Sequence, residues 1–139
     1  MKIQRPSYEI WLQKPGELGI YQQIERAGRV CYKSENNTTE ESAKPFVERM
    51  VQSEHCAMLE HGTVYLVCNH GELPLYTHNK FSRLNTIDGK DYITTNLRVL
   101  AENKAMDDLK YLSNYEEGKH ELRITVHFTT QISITREYN

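Results

Sequence analysis

An α+β fold is the class this sequence predicts, an antiparallel sheet with helices packed against it. Three features point there. Two-residue alternation of apolar side chains marks strands near both ends of the chain, apolar stripes of helical period lie between them, and no internal repeat, low-complexity tract or Pro/Gly/Ser linker divides the two. The 139 residues are expected to form one domain, 1–139, long enough to bury a core.

Tyr8, Ile10 and Leu12 alternate with Glu9 and Gln13, predicting a short strand that Pro15-Gly16 ends. From Leu18 the period changes. Ile20, Ile24, Ala27 and Cys31 follow helical spacing, with Gln22, Glu25, Arg26 and Arg29 largely on the other faces. The polar run 34–39 reads as a loop. Ala43, Phe46, Val47, Met50 and Val51 then form the stripe of a second helix. Thr38 with Glu41 would make a capping box at its start but leave Pro45 well inside. Ser42 as N-cap places Pro45 in the first turn, where no backbone donor is needed, and is the expected start.

Residues 63–68 are β-branched and aromatic enough for a strand. The stretch 71–90 is weakly patterned, with a strand expected near 81–84 and a turn at Asp88-Gly89. Leu97, Leu100, Ala101, Ala105, Leu109 and Leu112 mark one helix or two in series. Leu122, Ile124, Val126 and Phe128 alternate strictly with Arg123, Thr125 and His127, the clearest strand in the chain. Beyond Thr129 the pattern fits either more strand or a helix.

Composition narrows the function classes. The chain is 38% apolar and 26% charged, as in ordinary soluble proteins. Lys plus Arg number 17 against 19 Asp plus Glu, a formal charge of −2, which argues against global attraction to nucleic acid or an anionic membrane. A local pocket for one phosphate stays compatible with that balance. The first residues carry no apolar h-region, and no stretch approaches the length of a membrane-spanning helix. Cys31, Cys56 and Cys68 are odd in number and form no CxxC pair. A cytoplasmic protein with reduced thiols is therefore expected, in which the Asn-x-Thr matches at Asn36 and Asn37 carry no meaning.

The segment 53–61, Ser-Glu-His-Cys-Ala-Met-Leu-Glu-His, joins the second helix to a strand and packs two imidazoles, two carboxylates and a thiol into one turn. Three readings are open from the residues alone. It is a polar connection, or a metal site using His55, Glu60 and His61, or a turn that contacts a cofactor. The spacing matches neither HExxH nor a paired CxxC pattern, and no bound metal is expected.

Two motifs in order carry a family resemblance. Ala27-Gly28-Arg29-Val30-Cys31-Tyr32-Lys33-Ser34 ends the first helix, and His55-Cys56-Ala57-Met58-Leu59-Glu60-His61 follows the second. Their order and spacing resemble the N-terminal part of flavin-dependent thymidylate synthases, in which a His-x-(Ser/Thr)-x-(Phe/Leu)-Glu-His turn precedes a strand. The strand through Phe128 and residues 130–139 resemble that family's approach to an Arg-His-Arg signature, which would begin after Asn139. The resemblance covers about residues 20–67 and 122–139, and implies that 69–120 is a family-variable insertion.

What the resemblance implies is concrete. His55 matches a histidine lying against the flavin, and Glu60 a glutamate contacting the same cofactor. Ala57 stands where many members have Ser or Thr, and Cys31 where many have Ser near the cofactor. Glu137 aligns with a polar position, often Gln, that faces the nucleotide substrate. The implied reaction is reductive methylation of dUMP to dTMP with methylenetetrahydrofolate, FAD and NADPH, in a homotetramer with FAD between subunits. It needs no cysteine nucleophile, so the three thiols are expected in the core or near the site, and no catalytic residue is assigned. His70, His78, His120 and His127 are expected at the surface or in packing, and Arg29 with Lys33 on a solvated helix face. This chain alone is expected to be nearly inactive without the signature. The alternative is a non-enzymatic module that keeps the first half of the fold for assembly or regulation.

Overall fold

The computed structural model describes residues 4–131. Strand β1 (Ser7–Trp11) leads into α1 (Gly16–Cys31) and α2 (Ala43–Gln52). There follow β2 (Thr63–Asn69), α3 (Leu75–His78), β3 (Arg83–Ile87), β4 (Lys90–Asn96), α4 (Leu97–Glu102) and β5 (Thr125–Thr129), with 3₁₀ turns at Glu35–Asn37, Cys56–His61 and Met106–Tyr111. The class is α+β, with two antiparallel sheets. One has the order β2-β4-β3, and the other is a two-stranded ribbon of β1 and β5.

The core sits between the three-stranded sheet and the helices. Val64, Leu66 and Cys68 alternate inward from β2, meeting Ile20 and Ile24 of α1, Phe46 and Val47 of α2, and Leu97 and Leu100 of α4. Each fully buried aliphatic contributes about 1.5–3 kcal/mol. Gly62, just before β2, lets that strand approach α1 closely, since a Cβ there would stand 2.5 Å from Ile24 Cδ1 and 2.7 Å from Ile20 Cγ2.

The expected helices and the strand at 63–68 form with nearly the expected bounds. Ser42 precedes α2 and Pro45 lies in its first turn. The Ser42 hydroxyl does not cap the helix, however. It accepts from the Thr39 amide and donates to the Thr39 carbonyl, closing the preceding loop instead. The loop at 34–39 contains one 3₁₀ turn. The expected strand near 81–84 lies a few residues later, as β3. Asp88 and Gly89 make the two-residue turn to β4, both with positive φ, as a hairpin with the sheet's own twist requires. The alternative of two helices in series at 97–112 resolves as α4 followed by a 3₁₀ turn.

Strand β4 is the element that sequence pattern missed, and it is the centre of the sheet. The segment 69–120 supplies the middle strand and three core residues of α4. Every residue of β4 after Lys90 is buried. Its polar side chains are all matched. Thr94 Oγ1 accepts from the Glu121 amide at 3.0 Å, and Ser82 donates to Thr95 Oγ1 at 2.8 Å. The Asp91 carboxylate takes Thr86 Oγ1 at 2.6 Å, the Gly71 amide at 2.9 Å and His70 Nδ1 at 2.9 Å. Burial alone would raise the Asp91 pKa, but these donors hold it below its ordinary value.

A second correction concerns α1. Glu25 and Arg29 are not on a solvated face. Both are buried, and Arg29 grips Glu25 Oε1 through Nε at 2.9 Å and Nη2 at 2.7 Å, one helical turn away. The Arg29 guanidinium also lies 5.0 Å from the Phe46 ring centroid, so α2 covers what the helical stripe left outside. The ribbon covers another flank. Gln23 donates to the Trp11 carbonyl at 2.9 Å, Arg26 pairs with Glu9 at 2.9 Å, and the Arg26 guanidinium sits 3.9 Å over the Trp11 ring.

His120 pins the loop before β5 to the core. Its Nε2 meets the Leu66 carbonyl at 3.1 Å while Nδ1 accepts from the Glu116 amide at 3.1 Å, a pairing that requires the neutral ring. His127 stacks on Trp11 with centroids 4.7 Å apart. Among the described residues no helix is long and apolar enough to cross a membrane.

Candidate functional site

The turn at 55–61 is aimed by the way α2 stops. Glu54 adopts φ 58°. Its amide bonds the Val51 carbonyl and the His55 amide bonds the Met50 carbonyl, the paired closing bonds of a Schellman motif. His55 therefore leaves the helix at a fixed angle and opens the 3₁₀ turn Cys56–His61. Leu59 anchors that turn, fully buried in the core, while His55, Ala57, Glu60 and His61 are left exposed.

The turn packs beside the first motif. A Cβ on Gly28 would lie 2.6 Å from Phe46 Cζ and 3.9 Å from Met58 Cγ, so only glycine admits this approach of α1 to α2 and the turn. Cys31 follows Gly28 by three residues, on the same flank of α1, with its thiol exposed. The structure thus places His55, Ala57 and Glu60 together on one turn and the α1 segment ending at Cys31 against its neighbour Met58. Glu137 lies outside the described residues.

Glu60 has a partner that sequence reasoning missed. Arg98 of α4 donates through Nη1 to Glu60 Oε1 and through Nε to Glu102 Oε1 at 2.7 Å. The hydrogen bonds of Glu102 and Glu60 raise the Arg98 pKa further, so it is a permanent cation at the edge of the turn. The one signal for it was the i,i+4 spacing of Arg98 and Glu102 on the polar side of α4. The His55 ring makes no hydrogen bond among the described residues.

The Cys56 and Cys68 thiols are not activated. Burial raises the Cys56 pKa, the Glu102 charge adds to it, and Arg98 opposes. Burial, with the charges of Asp91 and Glu72, pushes Cys68 up to about 11. Among the described residues no group of three or more His, Cys, Asp or Glu side chains gathers to hold a metal ion.

Two cavities lie elsewhere. One, of about 460 Å³, is lined by Trp11, Leu12, Tyr65, Leu112, Leu122 and Ile124 at one end of the ribbon. The other, of about 610 Å³, lies between α1, β1 and the loop at 35–39, and the buried Glu25–Arg29 pair lines it. His55, Ala57, Glu60 and Cys31 line neither. Comparison of the chain with known protein families, with characterised proteins and with solved structures finds no match.

Proposed function

We propose that the chain is part of a flavin-dependent thymidylate synthase and supplies one wall of its FAD site. The observation that carries this reading is the packing of two motifs distant in sequence, 27–34 and 55–61, through Gly28, Phe46 and Met58. That packing leaves His55, Ala57, Glu60 and Cys31 exposed. Their chemistry fits a flavin nucleotide. His55 has ring nitrogens without a hydrogen-bond partner among the described residues, and Glu60 keeps one carboxylate oxygen beyond the one Arg98 holds. Ala57 offers only its backbone where a hydroxyl is common in the family.

A wall is not a whole site. Bound ligands of this size have about 70–90% of their surface covered, and four exposed residues on one turn and one helix end do not cover that much. The remainder comes, in this reading, from other subunits of a homotetramer and from the Arg-His-Arg signature, a triplet that this chain does not contain. When bound, FAD recharged by NADPH supplies the reducing chemistry for dUMP methylation with methylenetetrahydrofolate. Without bidentate arginines on the dUMP phosphate, these 139 residues alone are expected to turn over very slowly. Positioning of reactants supplies about 7–11 kcal/mol of such barriers. The assignment of Glu137 to the substrate and of the protein to the cytoplasm belongs to the same reading.

The second reading, a non-enzymatic assembly module, draws on a different observation, the exposed Tyr8 and Ile10 of β1. Flavin titration separates the two. In the protein extended through the signature, FAD fluorescence should be quenched saturably, and His55→Ala and Glu60→Ala should each weaken binding by about tenfold or more with unchanged circular dichroism. Absence of saturable binding, or equal affinity in both variants, would count against the flavin reading.

A further inference from the structure

The two cavities differ in charge. The larger is lined by both signs, and its two arginines are already matched, Arg26 by Glu9 and Arg29 by Glu25. The 460 Å³ cavity is lined by two cations, Lys14 and Arg123, and by no carboxylate. The Arg123 guanidinium donates through Nη2 to the Phe81 carbonyl at 2.8 Å, and Glu121, two residues away, pairs with Arg83 instead. Neither Arg123 nor Lys14 forms an ion pair among the described residues. Burial lowers the Arg123 pKa, and the charge of Glu121 offsets only part of that.

Two more donors of this wall have no acceptor among the described residues. Tyr65 accepts from the Arg123 amide at 3.3 Å, but its own hydroxyl donates to none of them. Trp11 is 5% exposed, and its Nε1 is a buried atom without a partner. The Gln13 amide, by contrast, is used at both ends by the Thr63 backbone, at 2.8 and 2.9 Å. Much of the remaining wall is apolar. Ile20 and Leu112 lie within it, while Leu122 and Ile124 line it with about half their surface in water. Tyr115 adds a third aromatic ring, 5.5 Å from that of Tyr65 and tilted by 58°. The volume falls within the about 300–1,000 Å³ of small-molecule sites.

We propose that this cavity binds a small aromatic carboxylic acid, its carboxylate held by Arg123, Lys14 and the Tyr65 hydroxyl. A carboxylate supplies the acceptors these donors lack and the charge that the half-buried guanidinium lacks. The ring packs against Trp11, Tyr65 and Tyr115, where planar groups gain from stacked or edge-on contact. None of the residues assigned to the flavin lines this cavity, so the proposal does not rest on that reading.

Titration of the isotope-labelled 139-residue chain with naphthalene-2-carboxylate, followed by NMR, tests it. Trp11 is the single tryptophan, so one indole N–H resonance reports on the wall. It should shift saturably, with a Kd below about 1 mM. The neutral amide of the same ring, and octanoate, should each bind at least about tenfold more weakly. Trp11 and Lys14 also line the larger cavity, so Arg123 and Tyr65, which line only this one, decide the location. Arg123→Gln should weaken the acid by about thirtyfold and the amide by less than about threefold, and Tyr65→Phe should weaken the acid by about fivefold. Lys44→Gln, on α2 and lining neither cavity, should change nothing. Circular dichroism checks each variant, and Tyr65→Phe, which keeps the ring, carries the test should Arg123→Gln not fold. A Kd above about 1 mM, equal affinity for the amide or for octanoate, or unchanged affinity in Tyr65→Phe would each overturn the proposal.

Discussion

The three-stranded sheet and the two-stranded ribbon differ in how they use their faces. Strand β4 is buried along nearly its whole length, between β2 and β3 and beneath the loop that His120 pins down. Strand β5 has no fully buried residue, and its His127 lies on Trp11. The sequence patterns run the other way. Residues 122–128 alternate strictly, whereas 91–96 read Asp-Tyr-Ile-Thr-Thr-Asn and alternate not at all. Strict alternation is the mark of a strand with two different environments, and its loss is what a strand covered on both faces shows. In the ribbon, Trp11 is buried against α1 while Tyr8 and Ile10 of the same strand are exposed.

The largest effect expected of this difference is on stability. Ile93→Ala removes a fully buried side chain from β4 and should cost about 2–5 kcal/mol, read by urea unfolding. Ile124→Ala, just before β5, should cost less than about 0.5 kcal/mol, because its side chain is half in water already. Similar losses for the two substitutions would erase the distinction between the regions.

What was legible in the sequence follows the same physics. Helices α1 and α2 and strand β2 announce themselves because each buries one stripe or one face. The Asp88-Gly89 turn is readable because few residues tolerate positive φ. Strand β4 was not, because Asp91, Thr94 and Thr95 look like surface residues until Thr86, Ser82, His70 and two backbone amides are brought to them from elsewhere. Arg29 was placed on a solvated face because its helix alone does not reveal that Phe46 covers it. The candidate site divides likewise. His55, Ala57 and Glu60 lie on one short turn, so their grouping needs no tertiary knowledge. Arg98 reaches Glu60 from 38 residues away, and only the β4–α4 connection puts it there.

The pin between the sheet and the ribbon loop carries a pH dependence. Burial lowers the His120 pKa, with the Leu66 carbonyl and Glu116 pulling it up and Lys119 pushing it down. In the unfolded chain the ring takes up a proton near 6.5, and in the folded chain only at lower pH. Between those limits the unfolded state binds more protons, so stability rises with pH. The contribution is thus fully present above about pH 6.5 and falls as the pH drops below it. Urea midpoints near pH 7.5 and pH 5 should differ more for wild type than for His120→Gln, whose amide keeps a donor for Leu66 without titrating. An equal drop in both proteins would assign the pH dependence to other groups.

The smallest expected effect lies at the helix ends. Glu54 and Lys104 hold φ of 58° and 54°, and each closes a helix with the same pair of backbone bonds. A side chain in this left-handed region costs about 1–2 kcal/mol, which glycine avoids. Glycine also loosens the unfolded chain by roughly 0.5–1 kcal/mol, so the net gain is a few tenths to about 1 kcal/mol. Lys104→Gly should therefore raise the melting temperature by about 2–4 °C. Glu54→Gly should do so by a similar amount, and it adds a question of position, because this residue sets the angle at which His55 leaves α2. If the Schellman bonds alone aim the turn, flavin titration should give the same affinity for Glu54→Gly as for wild type while the melting temperature rises. A stabilised protein with weakened flavin binding would instead show that the rigidity of a non-glycine residue at 54 helps to hold His55 in place. A lower melting temperature would mean that Glu54 is not in the left-handed conformation on which the argument depends.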